Sequence, residues 1–585
     1  MIKLLKRMRS REILMCFVCA ILIWGQIYFD LRLPDYMSEL TMLIQTSGSE
    51  MSAVWTTGLE MMGCVLISAV LCIICGYLSA RAASGFTMTV REELFAHVMS
   101  LGQAEMSRFS VPSLITRTTN DITQIQMVIA MGLQNLIKAP VMAVWAIIKI
   151  LGKSWELSAI TAGFVIVMCV AVFVIFSIVM PRFRLVQRLT DKINRIAREN
   201  LTGINVVHAF NAEQYQNEKF DETSTQMQKT QLFNQRLFAA LMPVLQLGMN
   251  GLSLSIYWVG AALLGGIAAT DMVSRLTMFS DIVVFSTYAT YVVMSFMMLV
   301  MIFMMLPAAQ VSADRINEVL DTKPAISEGT KESAEETGTV EFRNVSFRYP
   351  ESADDELCGI SFRVNQGETL AIIGSTGSGK TTLISLIPRL YDTTAGEVFV
   401  DGVNVKDYSF EALYNRIGYI TQKAVLFSGT IAENVAFGES HKPITQTDID
   451  NAIELAQAEE FVSKLQNGTK SHIAQSGRNV SGGQKQRLSI ARALARGAEI
   501  LIFDDSFSAL DYRTDTALRA GLATKLHDTT KIIVAQRVST IRHADRILVL
   551  DEGGIVGNGT HEELMQTCKV YREIAKSQLS EAEIS

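Results

Sequence analysis

The sequence predicts an all-α membrane domain of six helical spans followed by an α/β domain built around a phosphate-binding loop. Three observations carry this. Residues 1–306 contain six long apolar stretches, an alternating strand pattern begins at Val340-Glu-Phe-Arg-Asn-Val-Ser-Phe-Arg-Tyr, and Gly374 to Thr382 reads GSTGSGKTT. A helix needs roughly 17–25 mostly apolar residues to cross the bilayer core. The stretches at about 12–33, 58–80, 127–151, 157–180, 237–270 and 276–306 meet that length. One alone would fit a buried soluble helix, but six in succession do not.

The charge pattern orients the spans. Lys3, Lys6, Arg7, Arg9 and Arg11 precede the first, and Arg81, Arg91, Arg108 and Arg117 follow the second. Arg182, Arg184, Arg188, Lys192, Arg195 and Arg198 follow the fourth, whereas Pro34 to Gly58 holds Asp35, Glu39 and Glu50 and no basic residue. Loops rich in Lys and Arg stay in the cytoplasm, so both termini and the α/β domain are expected there; Lys149 and Lys153 are mild exceptions. The segments 81–126 and 181–235 are amphipathic and charged, so the helices are expected to run on well beyond the bilayer. Pro307 is expected to end the sixth span, with a charged helix at 308–320 after it. The expected boundaries are a membrane domain at 1–320, a linker at 321–338, the nucleotide domain at 339–576 and an acidic, disordered tail at 577–585.

A net charge of −6 argues against nucleic acid as the main partner. Cys72 and Cys75 lie among Leu, Ile and Val in the second span, where packing accounts for them better than metal or redox chemistry. Lys138, Lys149 and Asp281 lie in or near spans, with Lys138 expected at the inner end of the third. Met294, Met297, Met298, Met301, Met304 and Met305 recur at helical spacing in the sixth. Such a stripe fits helix packing, or a wall accepting varied apolar cargo.

The loop fits G-x-x-x-x-G-K-[ST], with Gly374, Ser375, Thr376, Gly377, Ser378, Gly379, Lys380, Thr381 and Thr382 around the phosphates of ATP. Lys380 would reach the β- and γ-phosphates and the Thr381 hydroxyl would ligate Mg²⁺. Ile500-Leu-Ile-Phe-Asp504 is an apolar strand ending in a carboxylate suited to the same Mg²⁺. Val480-Ser-Gly-Gly-Gln484 precedes a helix and forms a second anion site. One domain needs only one γ-phosphate site, unless the second serves the other half of a dimer.

This combination resembles the ATP-binding cassette family, and with the six spans the chain looks like an exporter half-transporter of the multidrug type (type I exporter fold). The resemblance covers nearly the whole chain. It implies that Tyr349 stacks on adenine and that Gln422 contacts Mg²⁺ and faces the membrane domain. It also implies that Ser508-Ala-Leu-Asp511 is the D-loop, with Asp511 crossing to the opposite subunit. Val480, Ser481, Gly482, Gly483 and Gln484 form the signature, presented to the partner's ATP. Arg117–Asp121 and Val207–Glu213 resemble sequences near the coupling helices.

Two departures alter the implied chemistry. Asp505 stands where the family usually has the glutamate general base, and Gln536 where a histidine meets the γ-phosphate. Aspartate is one methylene shorter, and misplacement by about an ångström can cost roughly 10²-fold in rate. Glutamine hydrogen-bonds but cannot become cationic. Gln475 also replaces the X-loop glutamate usual in exporters.

The resemblance therefore implies the degenerate-site subunit of a heterodimeric bacterial exporter. Its partner would be a second half-transporter with Glu and His in place, and its ATPase site, with Asp505, Gln536 and Gln422, would be weak. The setting would be the cell membrane, multi-pass among its lipid. The cargo would be a small amphipathic or hydrophobic molecule (drug-like, lipid or peptide). A slow homodimeric exporter, an ATP-gated regulatory subunit and a siderophore-type importer are the alternatives.

Overall fold

The computed structural model describes residues 1–45, 50–151, 154–268, 271–350, 352–440 and 442–578. Two compact units emerge. One comprises Met1–His97 with Pro112–Asp321, the other Val98–Val111 with Thr322–Ser585.

Among the described residues, the first unit holds six helices long and apolar enough to cross a membrane: Ser10–Gln45, Met51–Ser100, Val111–Leu151, Trp155–Thr202, Glu213–Gly265 and Met272–Asp321. Each takes in one of the six apolar stretches, except that the fifth helix ends at Gly265, before the stretch does, and the segments 81–126 and 181–235 are largely continuations of the same helices, broken by short connections. Two prolines overturn expectation. Pro307 lies inside the sixth helix, which runs through it to Asp321, and Pro34, expected to open an outer loop, lies inside the first. Proline removes one N–H and crowds the preceding turn, but apolar helices tolerate it where neighbours and local adjustment satisfy the freed backbone. Lys153 and residues 46–49 of the first outer loop lie outside the described residues.

Lys138 also departs from expectation. It sits near the middle of the third apolar stretch, its Nζ 3.3 Å from Asp30 of the first helix. Lys149 meets Asp35 at 2.7 Å, and the Tyr288 hydroxyl donates to the same carboxylate at 2.7 Å. Charge inside an apolar layer is expensive unless paired, so an opposite charge on a neighbouring helix removes the need to reach the interface. Cys19 and Cys75 are buried and each thiol approaches the other's carbonyl oxygen.

The second unit carries twelve strands among the described residues. The first six are β1 Val340–Phe347, β2 Leu357–Val364, β3 Thr369–Gly374, β4 Ala395–Val400, β5 Val403–Asn404 and β6 Ile417–Ile420. They are followed by β7 Gly429–Thr430, β8 His472–Ile473, β9 Ile500–Asp504, β10 Thr530–Val534, β11 Arg546–Asp551 and β12 Gly554–Gly559. The main sheet has the order β12-β11-β3-β10-β9-β6, and only the β12 edge is antiparallel. Its inner strands are mostly apolar because both faces of the sheet are covered; every residue of β9 and β10 is buried, Lys531 and Asp504 included. A smaller antiparallel sheet, β2-β1-β4-β5, packs against one face of the main sheet in a shared apolar core.

The segment expected to be a linker lies along this unit. Gly329 N–H donates to Tyr408 O at 2.9 Å, and Arg363 pairs with Glu336 at 2.9 Å. Two of the residues expected in the tail are helical. Residues 577 and 578 belong to the helix Lys569–Gln578, held by the apolar anchors Tyr571 and Ala575, and residues 579–585 lie outside the described residues.

Candidate functional site

The site forms at the carboxyl ends of the parallel strands, where open α/β sheets bind ligands. From β3 the chain turns through Ser375–Gly379 into the helix Lys380–Ser385. Glycine is obligatory at two of these positions. A Cβ at residue 374 would come within 2.2 Å of the Leu550 carbonyl oxygen. Gly379 has φ +88°, and a Cβ there would meet Leu357 at 2.7 Å. The loop thereby exposes its N–H groups to a phosphate chain. Lys380 Nζ folds onto the loop, donating to Gly374 O at 2.9 Å and Ser375 O at 2.6 Å. Burial holds its ammonium below the ordinary lysine range, with Asp505 and Asp504 opposing.

Neighbouring strands bring the remaining groups together. Strands β10, β9 and β6 lie side by side and deliver Gln536, Asp504–Asp505 and Gln422 from their ends. Thr381 Oγ1 donates to Asp504 Oδ1 at 3.0 Å, so the hydroxyl and carboxylate expected to hold Mg²⁺ are already adjacent. Hard oxygen donors of this kind suit Mg²⁺, which takes one or two carboxylates together with phosphate oxygens. The residues fit the ion.

Asp505 is gripped from several sides. Its Oδ2 accepts from Gln536 Nε2 at 2.8 Å and, more loosely, from Gln422 Nε2 at 3.4 Å. Its carbonyl accepts from Ser508 Oγ at 2.8 Å, and its N–H donates to Val534 O at 3.0 Å. Its φ of +46° is in the left-handed region, which Asp enters more readily than most residues because its short polar side chain bonds locally. Burial raises the carboxyls of both Asp504 and Asp505, and hydrogen bonds oppose the rise in each.

Tyr349 lies beside the loop. Its hydroxyl shares a 2.9 Å hydrogen bond with Thr382 Oγ1, and its ring stands edge-on to Phe347 and to Tyr391, with centroids 4.9 and 5.3 Å away. Replacing Tyr349 with alanine is expected to weaken ATP binding about tenfold, since a stacked base contributes about 1–3 kcal/mol. Tyr349→Phe should bind nearly as wild type. A fluorescence titration with labelled ATP checks both.

The glycine-rich turn caps a separate helix. Ser481 Oγ accepts from Gln484 N–H at 3.4 Å and Ser481 N–H donates back to Gln484 Oε1 at 2.8 Å, a capping box on Gly482–Ala495. The N–H groups of Gly482 and Gly483 have no carbonyl within the helix to reach, and Ser481 lies exposed at the mouth of the turn. Val480 packs against the adjoining core. Gln475 opens the short turn ahead of it, where Ser476 has φ +57°. Asp511 caps its own helix, accepting from Thr514 N–H at 2.9 Å.

Arg117–Asp121 lies within the third long helix as a π-helical turn, with Arg117 paired to Glu318 at 2.9 Å and buried Asp121 accepting from Ser312 at 2.7 Å. The loop tip itself is the earlier helix Gln103–Arg108, where Glu105 accepts from Ala325 N–H at 3.2 Å. The second tip, Ile204–Ala209, overlaps the segment singled out from sequence.

Sequence reasoning missed Tyr391 and Gln578. The Gln578 amide donates to Gln536 O and accepts from Val538 N–H, both at 2.8 Å, and so clamps the peptide that carries Gln536. No local spacing signals a contact across about forty residues; only the aromatic character of Tyr391 was visible in advance.

Comparison with known proteins agrees with this geometry. Residues 13–296 match the family model for the ABC transporter transmembrane region, and residues 357–508 match that for the ABC transporter. The chain is 38% identical over 525 residues to an uncharacterized ABC transporter ATP-binding protein of Mycobacterium tuberculosis (strain ATCC 25618 / H37Rv), covering 89% of this chain and 88% of that one. It is 30% identical to an ATP-dependent lipid A-core flippase of Aromatoleum aromaticum (strain DSM 19018 / LMG 30748 / EbN1), covering 86% and 82%. A solved bacterial Atm1-family ABC exporter with ATP bound superimposes with a TM-score of 0.79 at 23% identity, covering 98% of this chain and 99% of that one.

Proposed function

The chain belongs to the ABC transporter family, and on that premise we propose that it is the degenerate-site half of a heterodimeric, ATP-driven exporter. ATP would bind on the Gly374–Thr382 loop with Tyr349 against the base, while Thr381, Asp504 and Gln422 would hold Mg²⁺. When bound, the ion would neutralise charge on the β- and γ-phosphates. Water attack needs a base in line with the γ-phosphate. Asp505 is the candidate, and the observation that carries the proposal is what surrounds it: Gln536 and Gln422 both donate to its single Oδ2. A short carboxylate occupied by two neutral amides is poorly placed to take a proton from water.

The intact turn at Ser481–Gly483 supports the other half of the reading, in which this chain completes an active site whose Glu and His belong to its partner. The Lys and Arg distribution supports a cell-membrane protein with both termini and the ATP-binding domain in the cytoplasm. A relative named as a lipid A-core flippase supports an amphipathic, lipid-like cargo. Direction rests on the exporter likeness of the fold.

Phosphate release tests this directly. The isolated chain in lipid nanodiscs should bind ATP yet hydrolyse it at least about 10²-fold more slowly than the chain paired with a half-transporter carrying Glu and His. Equal rates would overturn the reading in favour of a homodimer.

A further inference from the structure

The peptide that carries Gln536 is gripped from a remote part of the chain. Just past β10, Ala535 N–H still donates to Ile372 O of β3 at 3.2 Å. The next two residues, Gln536 and Arg537, are exposed, and at Val538 a four-residue helix begins. The first N–H of a helix has no carbonyl behind it to reach, and the Arg537 side chain supplies no cap. Gln578 supplies one instead. Its Oε1 accepts from Val538 N–H and its Nε2 donates to Gln536 O, both at 2.8 Å. One planar amide therefore holds two backbone groups two residues apart, which fixes how the peptide between them is turned.

Gln578 can hold them because its helix is seated elsewhere. Tyr571 and Ala575 of Lys569–Gln578 are fully buried in an apolar core, with Val570 and Ile574 packed against it. Gln578 itself is exposed, so replacing it opens no cavity.

The side chain of Gln536 is held at its other end, where Nε2 donates to Asp505 Oδ2 at 2.8 Å. A primary amide has two N–H donors, so the second is left for another acceptor. Asp505 follows Asp504, which with Thr381 would hold Mg²⁺ between the β- and γ-phosphates. At that end of the site the acceptor is an oxygen of the terminal phosphate, a group that ATP has and ADP lacks. An amide donating one N–H to each would also bridge two anions that otherwise repel.

We propose that Gln578 is a positioning residue for nucleotide selection: it fixes the Gln536 peptide so that the Gln536 amide meets the terminal phosphate, and the site holds ATP in preference to ADP. A donor set in place before the ligand arrives loses less freedom on binding. This role suits a site where Asp505 is restrained and ATP is held more than consumed. The inference deepens the transporter reading above and rests on it.

Nucleotide titrations of the full chain in lipid nanodiscs test it, with a fluorescent analogue displaced by ATP or ADP in the presence of Mg²⁺. The wild-type chain should bind ATP at least about tenfold more tightly than ADP. Gln578→Ala and Gln578→Met, the second keeping the length without the hydrogen bonds, should each weaken ATP binding about three- to tenfold and leave ADP within about twofold. Gln536→Ala should lose at least as much, and adding Gln578→Ala to it should lose nothing further, because the two residues act through one contact. A merely structural role would weaken both nucleotides alike and would add in the double variant. Equal wild-type affinity for ATP and ADP, equal losses for the two nucleotides, additive losses, or wild-type ATP affinity in both Gln578 variants overturns the proposal. The two levels separate: a wild-type chain that binds neither nucleotide contradicts the transporter reading as well, whereas an ATP preference that survives both Gln578 variants removes only the role of Gln578.

Discussion

Exchanging Asp505 for glutamate and Gln536 for histidine in the same chain is expected to raise ATP turnover, in an assembly of two such copies, by about 10²-fold or more. The added methylene extends the carboxylate toward the in-line water, and removing the Gln536 amide frees the Oδ2 position that it holds at 2.8 Å in the native chain. The imidazole can carry positive charge beside the γ-phosphate, which glutamine cannot. Each single change should give less, because the two residues share one contact and their effects are coupled. Glutamate is less at ease than aspartate at φ +46°, so about 1 kcal/mol of stability is expected to be lost. Phosphate release and the melting temperature, measured on the same sample, check both statements. Unchanged turnover with ATP binding intact would show that the defect lies elsewhere.

In the two-chain complex, Ser481→Ala is expected to reduce turnover by about 10²–10³-fold, the loss typical when one preorganised donor to a developing anion is removed. Lys380→Ala in the same chain should leave most of the turnover while abolishing ATP binding to that chain's own loop. The asymmetry follows from geometry. Ser481 and the free N–H groups of Gly482 and Gly483 sit at the positive start of a fourteen-residue helix, suited to a phosphate held by another subunit, whereas Lys380 serves the site where Asp505 is restrained. Site-specific photolabelling with azido-ATP alongside turnover distinguishes the two. A complex that loses its activity with Lys380→Ala but not with Ser481→Ala would reverse the assignment of roles.

Much of the site is legible in sequence because its determinants are local. The loop at Gly374 and Gly379 admits only glycine, and a buried strand ending in Asp504 announces itself by an apolar run closed by a carboxylate. The contact between Asp505 and Gln536 cannot be read that way: it arises because β9 and β10 lie adjacent, a pairing between segments about thirty residues apart. Gln578 escapes notice for the same reason. The departures in the membrane domain have a different origin. The expectation for Pro34 and Pro307 follows proline's behaviour in water, where an unsatisfied carbonyl is solvated and a helix readily stops. Lys138 is expected at an interface only because its counter-charge, Asp30, is remote in the chain.

The uninterrupted course of the sixth helix through Pro307 has a mechanical consequence. Fifty residues at about 1.5 Å each make a rod of about 75 Å, and only about 30 Å of it is needed to cross hydrocarbon. About 45 Å is left as a lever arm, so a tilt of about 5° at the bilayer edge sweeps its far tip through about 4 Å. A stop at the proline would have put a joint partway along that arm and dissipated much of the stroke.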